Sequence, residues 1–580
     1  MNRILDTVKA PHPTHPSQTD PTRQTYLTRQ THPTDQTYRT YGSRELAAVL
    51  IVSGLLSAVL TYPIAFELGH AGRVDNGDGQ WSLWIVSWVA RALVRDPLHV
   101  FDANIFYPHR GTLAYSENNL GTGALAIPAY WMTDGNPYAA HNTVVLLSFL
   151  LTATGTYYLV RYLTHDRRAA AVSAICFAFC PYLFAHTSHI HLLMVAGFPF
   201  SMLAFHRTAD RPTIGRGTAL GAVMAAQAIC CGYYGVFVML MIGFAMLVVA
   251  GMRRMWTNLA YWTAIAAAAA VSLALVTPLF VPYVSLQRDA GFARSLNDAR
   301  AYSANWSAYL ASSSYAHVWL LRFLPPWGVE VMFPGTVALV FGAAGLWLAR
   351  RMRGGELTVL YGGLAALACW ASFGPAGGLY GVLYRLVPVF ALMRAPGRFG
   401  AIVAFALSVL AGAALAVLLP RMRRGTAAGL VIAAIATAEL KVPLRMPEAI
   451  PVEPVYRALA VLPRGPVIEM PFFYPQVGLF QHTKYMLAST SHWFPLVNGY
   501  SDYIPPDFYQ HVMVLATFPS SEALKILEPS GVRYAVFHMY GFNAQNRNDV
   551  LARIEKAAPY LRLLYRDDFT RLYEIVAFPP

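Results

Sequence analysis

Three groups of side chains have the types and spacing to do chemistry. In Asp75-Asn76-Gly77-Asp78-Gly79, two carboxylates stand three residues apart with glycines among them. Hard cations want several oxygen ligands and Gly permits a sharp turn, so Asp75 and Asp78 can converge on one divalent ion, Mg or Mn. A lone Asp there can instead take a proton from an acceptor hydroxyl, and a solvated Asp-Gly turn needs no function at all. His186-Thr187-Ser188-His189-Ile190-His191 puts three imidazoles within six residues. They can bind a transition metal, donate hydrogen bonds to a sugar or phosphate, or make a polar turn; His189 joins Asp75 and Asp78 as a candidate metal ligand. Arg394-Ala395-Pro396-Gly397-Arg398 flanks a Pro-Gly break with two guanidiniums, which match phosphate oxygens bidentately. Snorkelling to headgroups, or pairing with Glu330 or Asp78, are the alternatives for that pair.

The elements that must hold these groups are membrane spans. Of 580 residues 56% are hydrophobic and only 13% charged, with a mean hydropathy of +0.40, which excludes a soluble enzyme and, for most of the chain, disorder. Apolar runs near 46–66, 139–160, 169–185, 190–206, 217–233, 234–251, 258–281, 330–349, 357–373, 398–418 and 426–441 predict a mainly α, polytopic bundle of about eleven transmembrane helices. Within 217–251, Cys230-Cys231-Gly232-Tyr233-Tyr234-Gly235 must turn tightly. The short connections 161–168, 207–216, 252–255, 350–356 and 419–425 hold fourteen Arg against Asp166, Asp210 and Glu356. That carries most of the net charge of +14 and, by the positive-inside rule, places these loops and the N-terminus in the cytoplasm and everything after 441 outside. Basic residues spread this way do not make a nucleic-acid face.

The long segments, where loops do their work, are then both extracytoplasmic. Segment 67–138 holds seven acids, Asp75, Asp78 and Glu117 among them, against four Arg; 282–329 holds Arg288, Arg294, Arg300 and Arg322. Directly after the acidic turn, Trp81, Trp84, Trp88, Arg91 and Arg95 fall at helical spacing, which predicts an amphipathic helix lying flat in the headgroup layer. Run 120–132 is too short to span and reads as interfacial. Residues 1–44 read as a disordered cytoplasmic tail rich in Thr, Pro, Gln and His, and all five Cys fall inside apolar spans, giving no disulfide or zinc motif. After the transmembrane domain of 45–441, Pro-bounded runs alternate helix-like and strand-like, which predicts a small extracytoplasmic α/β domain over 442–580.

The Asp-bearing turn and Trp helix behind a first span, Asp96-Pro97-Leu98, Phe101-Asp102-Ala103-Asn104-Ile105-Phe106-Tyr107-Pro108-His109, Tyr115-Ser116-Glu117-Asn118, Ala185-His186-Thr187-Ser188-His189, Phe333-Pro334-Gly335, Arg394 to Phe399 and Trp493 to Ser501 together resemble bacterial GT-C superfamily membrane glycosyltransferases of the RgtA-like and YfhO-like kind. The similarity runs over about 45–510 and implies a multi-pass enzyme of the bacterial inner membrane. Such an enzyme passes a sugar from a polyprenyl-phosphate donor to a glycan, lipid or protein acceptor outside, usually with inversion and often with a divalent cation. Asp78 matches the expected base, with Asp75 as an auxiliary ligand, although the related pattern sets its acids adjacent or one residue apart and here Asn76 and Gly77 intervene. Arg394 and Arg398, with Arg288, Arg294 or Arg300, would hold the phosphate, and Glu117, His186 and His189 would position donor or acceptor. No Gly-rich phosphate loop stands out for a nucleotide-sugar donor. A lipid or polysaccharide flippase, or an inactive GT-C-like scaffold in envelope assembly, are the competing readings.

Overall fold

Each apolar run folds into helix, and the caps lie where polar residues interrupt the runs. The computed structural model describes residues 42–291, 293–325 and 330–580, so nearly all of the expected tail at 1–44 and five residues of the segment 282–329 lie outside the described residues. Helix α1 (Ser43–Leu60) is followed by α2 (Gly77–Arg95), α3 (Leu120–Met132), α4 (Pro137–Thr164), α5 (Arg167–Ala178), α6 (Pro181–Ala185), α7 (Ile190–Leu193), α8 (Gly197–Asp210), α9 (Ile214–Cys230), α10 (Gly232–Met252) and α11 (Leu259–Ala290). Then come α12 (Leu296–Ala301), α13 (Thr336–Leu348), α14 (Glu356–Ser372) and two further long helices, Gly400–Leu418 and Gly425–Glu439. Asn136, Asp166, Thr213 and Asn258 accept the first free N–H groups of α4, α5, α9 and α11. The tight turn expected at 230–235 is a single extended residue, Cys231 (φ −155°, ψ 109°), beyond which Gly235 packs against Ala228.

Among the described residues, seven stretches are long and apolar enough to cross a membrane: Ser43–Leu60, Pro137–Thr164, Arg167–Ala185, Ile190–Asp210, Gly232–Met252, Leu259–Ala290 and Pro396–Arg421. The other four expected spans are helical, but α9, α13, α14 and Gly425–Glu439 run only 17, 13, 17 and 15 residues, short of the ~20 that a ~30 Å hydrocarbon core requires. Length and composition thus support seven crossings of the expected eleven. On α11, Leu273, Val281 and Val284 are each about half exposed or more; such contiguous apolar surface is tolerated in lipid and not in water.

The Arg-rich loops gather. Arg253 pairs with Glu356 (2.5 and 2.8 Å) and Asp210 (2.8 Å), and Asp210 also takes Arg353 (3.1 Å) and the Tyr162 hydroxyl (2.6 Å). These side chains follow the C-terminus of α10, whose 21 residues at ~1.5 Å each span ~31 Å, the thickness of a bilayer core. The N-terminus of α10 lies at the opposite end, where the candidate site is found.

Two expectations are corrected. Helix α2 forms as predicted, but Trp81, Trp84 and Trp88 are only 8%, 1% and 6% exposed, buried by α3, α4 and the helix Thr483–Ala488. The Trp84 indole donates to Asn104 Oδ1 (3.0 Å) and that of Trp88 to the Val100 carbonyl (2.9 Å), so this stripe packs against protein and not headgroups. Helix α11 continues past the expected 281 to Ala290, which moves Arg288 from the loop onto an exposed last helical turn.

After Glu439, strands β1 (Val467–Met470), β2 (Tyr534–His538), β3 (Leu561–Arg566) and β4 (Thr570–Ile575) form one sheet in the order β1-β2-β4-β3. β1 and β2 are parallel, and the other two pairs are antiparallel. All four lie where strand-like runs were expected. Val49–Pro580 is one compact unit, joined through a strip at 495–498. Val467 N–H donates to Pro495 O (2.8 Å) on the sheet side, while Leu496 N–H donates to Asn104 O (2.9 Å) and Phe106 N–H to Asn498 O (3.1 Å) on the helical side. A Cβ at Gly499 would lie 2.8 Å from the Phe106 ring, so glycine is what permits this approach.

Candidate active site

Asp78 sits in the first turn of α2, where free N–H groups favour a negative charge. Asn76 caps that turn, its Oδ1 accepting from Gly79 N–H (2.8 Å) while its Nδ2 donates to Ser188 Oγ (3.1 Å). Arg73 donates to Thr187 Oγ1 (2.7 Å) and Ser82 to the Ser188 carbonyl (2.7 Å). The histidine-bearing turn is thereby clamped onto the acidic one. It brings His189 Nε2 within 3.3 Å of Asp78 Oδ2. That imidazole, with Arg394 and Arg398 farther off, holds the Asp78 carboxyl below its ordinary range, against partial burial pushing the other way.

Asp78 and His189 open into a cavity of about 170 Å³ whose lining also includes Glu117, His191, Tyr233, Arg294, Arg394, Arg398, Tyr500 and Asp502. Glu117 accepts from the N–H groups of Gly232 and Tyr233 (both 3.1 Å), capping α10, and its full burial raises its pKa. Arg394 pairs with Asp502 (2.9 Å), which Arg294 also approaches (3.6 Å) while donating to the Asp502 carbonyl (3.2 Å). Arg398 lies over the Tyr233 ring at 4.5 Å, with no ion-pair partner among the described residues.

No family model matches the chain, and no curated protein matches it in sequence. Among solved structures it is similar to the arabinofuranosyltransferase AftD from Mycobacteria, with a TM-score of 0.52 and 16% identity over 92% of this chain and 40% of that one. The fold is that of the matched part of AftD. Weaker likenesses are to the oligosaccharyltransferase AglB of Archaeoglobus fulgidus (TM-score 0.46, 13% identity, 89% of this chain and 72% of that one) and to ArnT of Cupriavidus metallidurans (0.40, 15%, 92% and 100%). The chain spans less than half the length of AftD.

On this scaffold the structure brings together six of the residues singled out in the sequence: Asp78, Glu117, His189, Arg294, Arg394 and Arg398 all line one cavity. Four others it places elsewhere. Asp75 is held by Arg73 through both carboxylate oxygens (3.0 and 3.3 Å), which makes it a partner of the clamp. His186 is buried against the Tyr182 carbonyl (2.7 Å), and His191 takes its place in the lining with Nδ1 lacking any hydrogen bond. Arg288 and Arg300 are exposed and outside the lining, because α11 and α12 carry them to solvent-facing positions.

A divalent cation here would be held by Asp78 and His189, with water or substrate oxygens completing its shell, since Asp75 is spent on Arg73. Three guanidiniums in the same lining oppose a further positive charge, and no group of three His, Cys, Asp or Glu suited to a metal occurs among the described residues. Asp502 and Tyr500 were not singled out as site residues from the sequence. They are distant in the chain and reach the cavity through the 495–498 strip; their signal was that Tyr500 lies inside, and Asp502 directly after, the Trp493 to Ser501 segment of the family resemblance.

Proposed function

We propose that the chain is an inverting membrane glycosyltransferase that moves a sugar from a polyprenyl-phosphate donor to an acceptor hydroxyl on a glycan, lipid or protein. The observation that carries this reading is a single cavity with an ionised carboxylate, Asp78, on one wall and an ion-pair-free guanidinium, Arg398, on another. In the reaction the acceptor oxygen attacks the anomeric carbon, the bond from that carbon to the phosphate oxygen breaks, and the acceptor proton passes to Asp78. The departing polyprenyl phosphate keeps the electron pair. Arg398 and Arg394 meet the charge that grows on it, an electrostatic stabilisation worth most in a site shielded from water. Asp502 orients Arg394 and Arg294 from behind. The Asp78 to His189 contact keeps the base charged, and no step calls on a metal.

The positive-inside rule, applied to the Arg253, Asp210, Glu356 and Arg353 cluster at the far end of α10, supports an extracytoplasmic site in a bacterial inner membrane. A flippase would instead need its ionisable groups near the bilayer midplane, and these groups lie at a helix end. The test is mass spectrometry of lipid-linked saccharides and envelope glycans from cells with and without the protein, complemented by Asp78→Asn. Loss of a glycosylated product with build-up of its lipid-linked donor is expected in both the null and the variant, at wild-type protein level. Unchanged glycans in the variant would remove Asp78 from the mechanism.

A further inference from the structure

A second cavity, larger than the first at about 620 Å³, lies between the 133–138 segment and the C-terminal sheet domain. Its size is that of small-molecule sites, ~300–1,000 Å³. The two cavities share the first turn of α2: Asp78 and Trp81 line one and Gln80 the other. At ~100° per residue, Asp78 and Gln80 project about 200° apart, so the cavities flank a helix ~10 Å across.

The lining combines aromatic rings with a balanced set of charges. The hydroxyls of Tyr456, Tyr485 and Tyr540 are already bonded to His538 (3.1 Å), the Pro471 carbonyl (3.1 Å) and Glu453 (2.9 Å); the rings of Tyr456 and Tyr485 are buried in the domain core, so the ring surface left for a ligand is that of Tyr540, about half exposed. His538 lies between Glu469 (2.9 Å) and Glu453 (3.3 Å). Burial alone would lower its pKa, but hydrogen bonds to Glu453 and Glu469 outweigh burial and push it up to about 9. Lys484 stands over the Phe473 and Tyr485 rings (4.4 and 5.2 Å), with no acid or hydrogen-bond acceptor on its ammonium among the described residues. In the lining, Asp134 and Glu453 thus stand against Lys484 and His538, the last of which also pairs with the buried Glu469 behind it. A strongly anionic ligand such as a pyrophosphate meets too few cations here, and an acyl chain meets too many polar groups.

We infer that this second cavity is a saccharide-binding site for a neutral oligosaccharide, of which one unit lays a C–H face on the Tyr540 ring while its hydroxyls bond Lys484 and Glu453. It rests on the lining of this cavity and not on transfer at Asp78. The test is retention of oligosaccharides by the full chain in detergent, using an array of neutral, uronic-acid-containing and phosphorylated glycans with uncharged peptides as controls. Neutral glycans of two or more units are expected to be retained. Lys484→Met and Tyr540→Ala should each weaken binding at least tenfold, and Asp78→Asn should leave it unchanged. Should either substitution unfold the protein, Ser491→Trp, which fills the cavity from its lining, should abolish retention. The inference is overturned if no neutral glycan is retained, if only charged glycans or peptides are, or if binding survives these cavity variants. Loss of binding in Asp78→Asn would overturn it too, since the sugar would then sit in the first cavity. Failure of transfer by Asp78→Asn with intact glycan retention separates the two readings.

Discussion

Arg398 and Arg394 look alike in sequence, yet the structure gives them different electrostatic situations. Arg394 is partly neutralised by Asp502 at 2.9 Å, whereas Arg398 rests on an aromatic ring without an ion pair. A charge-assisted bond to a phosphate is worth ~1.5–3 kcal/mol, so Arg398→Gln should raise the donor KM by about 10- to 100-fold. Arg394→Gln should cost less, because Asp502 already neutralises part of the charge that Arg394 offers a phosphate. Steady-state kinetics with donor varied at saturating acceptor separates the two, and equal losses would refute the distinction. Asp78 yields a pH statement. Its pKa is held down, chiefly by His189, so the base is ionised throughout the neutral range and is lost only as the pH falls below the ordinary carboxylate range. Titration of Asp78 should therefore place no inflection on the rate between pH 5 and 8. These two residue types were legible as chemistry from the sequence alone. Arg288 and Arg300 carried the same charge in the same segment and were not distinguishable from Arg294, since only the path of α11 and α12 decides which guanidinium faces the cavity.

At the scale of elements, the first turn of α2 is the joint on which the site depends. A Cβ at Gly79 would fall 1.8 Å from the Arg73 carbonyl oxygen, so the backbone of the preceding segment closes over a position that admits no side chain. Gly79→Ala must push the turn apart and displace Asp78 from His189. We expect loss of activity comparable to Asp78→Asn together with a lowered unfolding temperature, whereas Asn76→Ala should cost only the ~1 kcal/mol of a helix N-cap. Wild-type melting and turnover for Gly79→Ala would show the joint to be soft. The Asn76 and Gly77 that separate the two acids, which the sequence reading could treat only as a departure from the expected pattern, are the cap and the tight start of this helix. The Trp stripe shows the converse limit. Tryptophans at helical spacing beside arginines suit a headgroup layer and a protein groove equally, and only the arrival of α3, α4 and the Thr483–Ala488 helix, from far along the chain, chooses between them. Helix and strand positions themselves were legible because apolar runs and Pro boundaries are local signals. The number of crossings is less fully legible: all eleven apolar runs are helical, but length and composition support crossing for seven of them.

For the whole molecule, stability should depend on pH through the sheet domain. His538 is raised from 6.5 to about 9 by Glu453 and Glu469, so its contribution is full below the unfolded value of ~6.5 and is lost as the pH rises through about 9. Thermal unfolding in detergent should be flat from pH 5.5 to 6.5 and fall steadily towards pH 9.5, and His538→Gln should lower the plateau and flatten the slope. A midpoint that rises with pH over that window would contradict the assignment. The 495–498 strip has a different kind of consequence. One edge of it completes the sheet and the other is stitched to Asn104 and Phe106, while its continuation delivers Tyr500 and Asp502 to the catalytic candidate. The polypeptide beyond the last apolar helix is therefore no detachable accessory: cutting the gene at that natural-looking seam would strip a wall from the reaction chamber, and a chimera that grafts a foreign tail onto this bundle would have to bring its own acid for Arg394.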